Sequence, residues 1–230
     1  MDALILAAGL GSRLGEITRN QQKCLLPING VPLLELWINA LFSLDIKKLY
    51  INTHHCAHQT NELIESSVHK EKIHLLHEST LLGTGGTLLF NKNLFANDDL
   101  LFLHGDNFIN FSCLKGFIKN FKDNYLNENY LFWMMLHKTN APENCGVVKL
   151  KGKKVIEFYE KYQKPPSQIA NSAIYILKKK FINEIEQNNL NYPISFSDDL
   201  IPQYLGKIYG YFQKEDVIDI GTKNSYEKVK

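Results

Sequence analysis

Four cysteines, at positions 24, 56, 113 and 145, include no C-x-x-C pair. That pattern suggests neither a zinc knuckle nor a disulfide framework, and fits reduced, buried thiols in a cytosolic protein. No apolar run approaches the ~20 residues of a membrane span. The chain opens Met-Asp and then an apolar strand, with no basic n-region or small-residue cleavage site, so no signal peptide is read. A net charge of +2 gives no field to draw nucleic acid or an anionic membrane. The 13 phenylalanines and 11 tyrosines form no repeated stacking motif for single strands. What is present is 44% hydrophobic and 22% charged residues over 230 positions, enough for one soluble, well-buried domain and too few for two of typical size. A cytoplasmic protein, monomer or homodimer, is expected.

Short apolar runs alternate with helical patterns, which predicts an α/β fold with a mainly parallel sheet covered by helices on both faces. Strands are read at Ala3–Ala8, Lys48–Asn52, Ile73–Leu76, Leu100–His104 and Tyr130–His137. Helices are read at Leu33–Leu44, Gln59–Ser66, Gly86–Leu94, Leu114–Asp123 and Phe181–Asn188. Cys145–Leu150, Val155–Tyr159 and Ala173–Leu177 are separated by charged or Pro-containing turns and read as a small antiparallel insertion. No repeat or linker divides the chain, so 1–230 is one domain. Its first half, about 1–110, faces a nucleotide, and its second, about 111–230, an acceptor.

The densest signal is Ala3 to Leu14, Ala-Leu-Ile-Leu-Ala-Ala-Gly-Leu-Gly-Ser-Arg-Leu, with Lys23 ten residues beyond Arg13. Glycines 9 and 11 let the backbone turn tightly and bring bare N–H groups to a polyanion. Arg13 adds a planar fork and Lys23 a point charge. A dinucleotide turn is excluded because Leu14 stands where the third glycine belongs, and G-x-x-x-x-G-K-[ST] is absent. The plain alternative is a strand-to-helix turn that needs glycine for geometry alone.

Two further segments carry chemistry. Leu100 to Asn107 is an apolar strand ending in Gly105-Asp106; strand carboxyl ends line the ligand crevice of an open parallel sheet, and a carboxylate there suits Mg²⁺ or merely caps a turn. Glu78 to Thr87, Glu-Ser-Thr-Leu-Leu-Gly-Thr-Gly-Gly-Thr, brings glycines and threonines together, either to lay backbone amides along a nucleobase or to start a helix. His54, His55 and His58 lack a third ligand in the sequence and are not assigned a metal, and Cys145 has no activating neighbour to make it a nucleophile.

Gly9–Leu14, Lys23-Cys-Leu-Leu-Pro27 and Gly30-Val-Pro-Leu-Leu34 together resemble the signature of the sugar-1-phosphate nucleotidyltransferases. The resemblance runs from Leu4 to about Tyr226, without the left-handed β-helix that many relatives append. It implies a Rossmann-like, GT-A-like sheet and Mg²⁺-dependent transfer of a nucleoside monophosphate to a sugar 1-phosphate, feeding surface-polysaccharide precursors. Arg13, Lys23 and Asp106 are then catalytic. Leu6, Ala7, Ala8, Gly9, Gly11, Ser12, Glu78, Gly83, Thr84 and Gly85 hold the nucleotide. Asp106 and Asp219, the latter in a D-x-G-T segment, hold the metal.

On the acceptor side, Asn144–Val148 is similar to Y-G-V-V, Glu157–Lys161 to F-x-E-K-P and Ala170–Tyr175 to A-N-x-G-I-Y. With Asn107, these nominate Gly146, Glu160, Lys161 and Asn171 for the sugar phosphate, with Lys164 as a substitute for Lys161. The E-x-x-x-L-G-T form looks most like the guanylyltransferase branch, so GTP is favoured over UTP, CTP or dTTP. Gln22 in place of the usual proline, Tyr162 in place of proline and Ala173 in place of glycine depart from the pattern. Aliphatic Val217 and Ile218 replace the common tryptophan. A non-catalytic nucleotide-sugar sensor is the alternative reading.

Overall fold

The structure is a computed structural model and describes residues 1–185 and 192–230. In chain order its strands are β1 (Asp2–Leu6), β2 (Pro27–Ile28), β3 (Val31–Pro32), β4 (Leu49–Thr53), β5 (Ile73–His77), β6 (Leu100–His104), β7 (Asn107–Ile109), β8 (Phe132–Lys138), β9 (Gly146–Lys151), β10 (Lys154–Glu160), β11 (Ile169–Leu177), β12 (Ile208–Phe212) and β13 (Val217–Asp219). The α-helices are α1 (Leu33–Phe42), α2 (Ala57–Glu65), α3 (Thr84–Phe90), α4 (Lys92–Phe95), α5 (Ser112–Asp123), α6 (Lys179–Glu184) and α7 (Lys223–Tyr226). Among the described residues no helix is long and apolar enough to cross a membrane. Contacts group the chain into two compact units, one of Met1–Leu81, Phe102–Ile109 and Ile218–Lys230, the other of Leu82–Leu101 and Asn110–Val217.

In the first unit the strand order is β5-β4-β1-β6, with β1, β4 and β5 parallel. Every residue of β4 is buried, as expected of a strand covered on both faces. The predicted apolar helix is α1, two residues shorter than read, with Leu33, Leu34, Trp37, Ile38 and Leu41 inside. The Trp37 indole donates to the Asn107 carbonyl at 2.9 Å, which ties α1 to β7.

In the second unit the order is β11-β8-β12-β10-β9, and the two outer strands meet at Ala170 and Val147. Of the strands read as an antiparallel insertion, β9 and β10 pair with each other, while β11 pairs antiparallel mainly with β8, which the sequence reading placed in the parallel sheet, and β12 adds a parallel neighbour to β8. The sequence reading missed β12 because Gly210 interrupts it; a Cβ there would sit 2.8 Å from Leu136 and 2.9 Å from Leu150. The single helix predicted over Gly86–Leu94 is instead α3 and α4, broken at Asn91. The helix predicted over Phe181–Asn188 appears as α6, and its predicted end lies outside the described residues.

Between Asn171 and Tyr175 the register of β11 slips, and Ala173 sits there at φ +52°. This is the position where the resembled family carries glycine, the residue that adopts a left-handed backbone most readily. A left-handed alanine costs ~1–2 kcal/mol. Ala173→Gly is therefore expected to stabilise the fold by up to about 1 kcal/mol once the extra freedom of an unfolded glycine is deducted. A higher urea midpoint at unchanged slope checks it.

His137 on β8 is buried, with its Nδ1 3.0 Å from the Ser172 hydroxyl. Burial pushes its pKa down from 6.5 to about 4, against the opposing pull of the Asp216 carboxylate. The folded pKa lies below the unfolded one. Its contribution is therefore fully present above about pH 6.5 and is lost as pH falls toward about 4, an effect of a few kcal/mol. Thermal melts from pH 7 to pH 4 should show that decline, and His137→Gln should flatten it.

Candidate active site

Lys23 is the best buried cation of the first unit, 5% exposed at the start of a short 3-10 turn. Its Nζ donates to the carboxylate of Asp106 and to Asp219 Oδ1 at 3.1 Å. Arg13 Nη2 approaches Asp219 Oδ2 at 3.3 Å from the solvent side. Two cations and two carboxylates predicted from four separate stretches of sequence thus lie together.

Local chain geometry puts them there. Gly105 follows β6 and donates to the Leu6 carbonyl at 2.9 Å; a Cβ on it would come within 2.6 Å of Ile5. Only glycine lets the chain pass that close and deliver Asp106. β13 runs beside β7, and Ile220 N donates to the Asp106 carbonyl at 3.1 Å, which fixes Asp219 next to Asp106. The Asp219 carboxylate accepts from Gly221 N at 2.7 Å, and a Cβ on Gly221 would lie 2.6 Å from Arg13 Nη2. The capping box of Thr222 and Ser225 starts α7, whose Tyr226 hydroxyl donates to the Pro27 carbonyl at 2.9 Å.

Burial works against the charge on Lys23, but Asp106 and Asp219 outweigh it and its pKa is raised. Burial likewise opposes ionisation of Asp106, yet the Lys23 ammonium and then His104 hold its carboxyl below the usual range. Beside them the Cys24 thiol is pushed far up by burial, so it stays an inert thiol.

One ammonium bridging two carboxylates shows that this pair is shaped around a positive charge. Among the described residues no cluster of three His, Cys, Asp or Glu side chains is set to hold a metal. Two carboxylates and open positions suit Mg²⁺, which takes one or two protein carboxylates and completes its shell with phosphate oxygens and water. The donor set fits that ion.

The loop predicted to cradle phosphates divides into two parts. Leu6, Ala7 and Ala8 are buried, and the Ala7 and Ala8 amides donate to Asn52 Oδ1 at 2.6 and 3.2 Å. Those two amides are engaged within the protein. Gly9, Ser12 and Arg13 are exposed. Gly11 has an internal reason to be glycine: φ is +66°, a Cβ would press on Thr18 at 2.9 Å, and Thr18 Oγ1 donates to its carbonyl at 2.8 Å. Gly9 has none, since a Cβ there would meet nothing within 4 Å. Glu78, 5% exposed, accepts from Asn52 Nδ2 at 2.9 Å and so supports the same loop.

The sequence reading missed Asn52, although a polar residue closing the apolar run Leu-Tyr-Ile was a visible signal. His54 Nδ1 lies 2.7 Å from the Glu78 carbonyl and His55 Nε2 3.2 Å from the Thr18 carbonyl.

In the second unit Gly83 has φ +80°, and a Cβ on it would collide with the Ile194 backbone. Gly85 N donates to the Ile194 carbonyl at 2.9 Å, and Phe196 N donates to Thr84 Oγ1 at 2.7 Å. The glycines of this loop answer to the Ile194–Phe196 segment, and α3 begins at Thr84. Gly146 pairs with Glu160 across β9 and β10, and a Cβ on it would lie 2.5 Å from Glu160 Oε2 and 2.6 Å from Phe158. Burial raises the Glu160 pKa, against the Lys161 ammonium 3.7 Å away. Lys161 itself stands at φ +46° with its side chain exposed. Asn171 is committed at both ends, accepting from Ala173 N at 3.0 Å and donating to the Tyr175 hydroxyl at 2.6 Å. Asn107 is buried in β7.

The family model described as nucleotidyl transferase matches residues 2–230. A Sulfolobus acidocaldarius protein provisionally described as a mannose-1-phosphate guanyltransferase is 26% identical over 237 aligned positions, covering 100% of this chain and 62% of the relative. The bifunctional protein GlmU of Methanococcus maripaludis is 31% identical, covering 99% of this chain and 49% of the relative. The chain thus spans about half to three fifths of the length of these curated relatives. A Bacillus anthracis crystal structure, provisionally described as a glucose-1-phosphate thymidylyltransferase in complex with sucrose, superimposes with a TM-score of 0.87 at 24% identity. It covers 100% of this chain and 93% of its own, and it supports the α/β fold.

Proposed function

Since the chain belongs to the nucleotidyl transferase family, we propose that it transfers GMP from GTP to the phosphate of a hexose or heptose 1-phosphate, releasing pyrophosphate. The observation that carries this reading is Lys23, buried between Asp106 and Asp219 with Arg13 alongside. An acceptor phosphate is already anionic, so the chemistry needs no protein nucleophile. It needs charge neutralisation and alignment.

In this reading Arg13 and Lys23 bind the triphosphate and stabilise the departing pyrophosphate. Gly9 and Ser12, exposed on the loop, let the phosphates approach the backbone. Gly11, Leu6, Ala7, Ala8 and Glu78 set the loop's shape. Gly83, Thr84 and Gly85 are assigned to nucleotide binding. Asp106 and Asp219 would hold Mg²⁺, which supplies charge neutralisation and orients phosphate oxygens. Lys161 is assigned to the acceptor phosphate, and Asn107, Gly146, Glu160 and Asn171 to the sugar phosphate. The protein works in the cytoplasm, where the triphosphates are made, as a monomer or homodimer.

GTP is assigned on the E-x-x-x-L-G-T segment, Glu78 to Thr84, and on the name of the Sulfolobus relative. The test is pyrophosphate release with Mg²⁺, crossing GTP, UTP, CTP, dTTP and ATP with hexose and heptose 1-phosphates. Release that requires GTP and one sugar phosphate is the expected result. Release with another triphosphate keeps the mechanism and overturns the base. No release while nucleotide binds favours a sensor.

A further inference from the structure

Gln22 occupies the place where the resembled family carries proline, and it is fully buried, at 0% exposure. Its backbone stands at φ −64° and ψ 130°, the conformation a proline ring imposes. Its side chain adds what proline lacks. Nε2 donates to the Ala7 carbonyl, and Oε1 accepts from the backbone N–H of Lys23 at 3.1 Å. Its own N–H, which proline would remove, donates to Gln59 Oε1 at 2.9 Å, and Gln59 Nε2 returns to the Asn20 carbonyl at 2.7 Å. Ala7 is therefore gripped from both sides, at its N–H by Asn52 and at its carbonyl by Gln22.

Resting on the proposed function, we infer that Gln22, braced by Gln59, is a positioning residue that locks Lys23 to the Ala7–Ala8 turn. In this chain a hydrogen-bonded clamp does what ring stiffness does elsewhere. The backbone angle alone could be kept by proline, and shape alone by methionine. Neither replaces the donor to Ala7. A side chain displaced from a charged group by an ångström can cost ~10²-fold in rate. Gln22→Met is therefore expected to lower kcat roughly ten- to hundredfold, with KM for the sugar phosphate unchanged. Gln22→Pro is expected to lose nearly as much, and Gln59→Met less, in the same direction.

The experiment pairs steady-state kinetics of these folded variants with amine-reactive labelling of Lys23 in the nucleotide-free protein, read by mass spectrometry. Labelling of Lys23 is slow in the wild type and several-fold faster in Gln22→Met if the clamp positions it. Wild-type kcat in Gln22→Pro, or unchanged labelling in Gln22→Met, overturns the inference. A wild-type protein silent with every triphosphate would overturn the functional reading instead, and the labelling arm would still decide the role of Gln22.

Discussion

Asp106→Asn is expected to reduce pyrophosphate release by ~10²–10³-fold while the chain stays folded. The substitution keeps shape and removes one negative charge from a carboxylate that is about a quarter exposed and held ionised by Lys23 and His104. Fold-level contacts at this position run through the backbone, by the Ile220 N–H to the Asp106 carbonyl and by Gly105 to Leu6, and asparagine keeps both. Steady-state kinetics with a far-ultraviolet spectrum and a thermal melt separate the two effects. Near-normal turnover in Asp106→Asn would remove the metal assignment and with it the role of the carboxylate pair.

Lys23→Met should produce the other large effect, and on two observables. It removes the ammonium that both carboxylates share and leaves Asp106 and Asp219 facing each other. Breaking a buried pair typically costs ~3–5 kcal/mol, and the partial exposure of both aspartates brings this toward the lower end. Turnover should fall by at least ~10²-fold. The melting temperature in chelator should fall as well, and added Mg²⁺ should restore more of it in Lys23→Met than in the wild type, because the cation then takes the vacated place between the carboxylates. Equal responses to Mg²⁺ in the two proteins would mean that Asp106 and Asp219 do not form one cation site.

Much of this arrangement was legible from short stretches of sequence. β6 was readable because Leu100–Leu103 is uniformly apolar and the run stops at His104-Gly105. Arg13 and Lys23 were legible from the glycine-rich turn they accompany, Asp106 from its place after the apolar strand, and Asp219 only through the resemblance of its D-x-G-T segment. Gln22 was not legible. A buried glutamine announces itself only through partners 15 and 37 residues away in the chain, Ala7 and Gln59, and no local pattern encodes those. The glycine loop at Gly83–Gly86 was legible as a special segment but not for its cause. Its closest neighbour is the Ile194–Phe196 segment more than a hundred residues on. Ala173 shows the same limit: its left-handed backbone follows from a register slip in β11, which alternation of side chains does not reveal.

A phosphorus NMR spectrum of the protein mixed with GTP, Mg²⁺ and a panel of hexose and heptose 1-phosphates, followed through turnover, tests guanylyl transfer at its reacting atoms. With GMP transfer, the triphosphate resonances disappear together with one sugar phosphate, and pyrophosphate and a nucleoside diphosphate-sugar grow in at equal rates. Growth of orthophosphate, or pyrophosphate formed without consumption of any sugar phosphate, would contradict it.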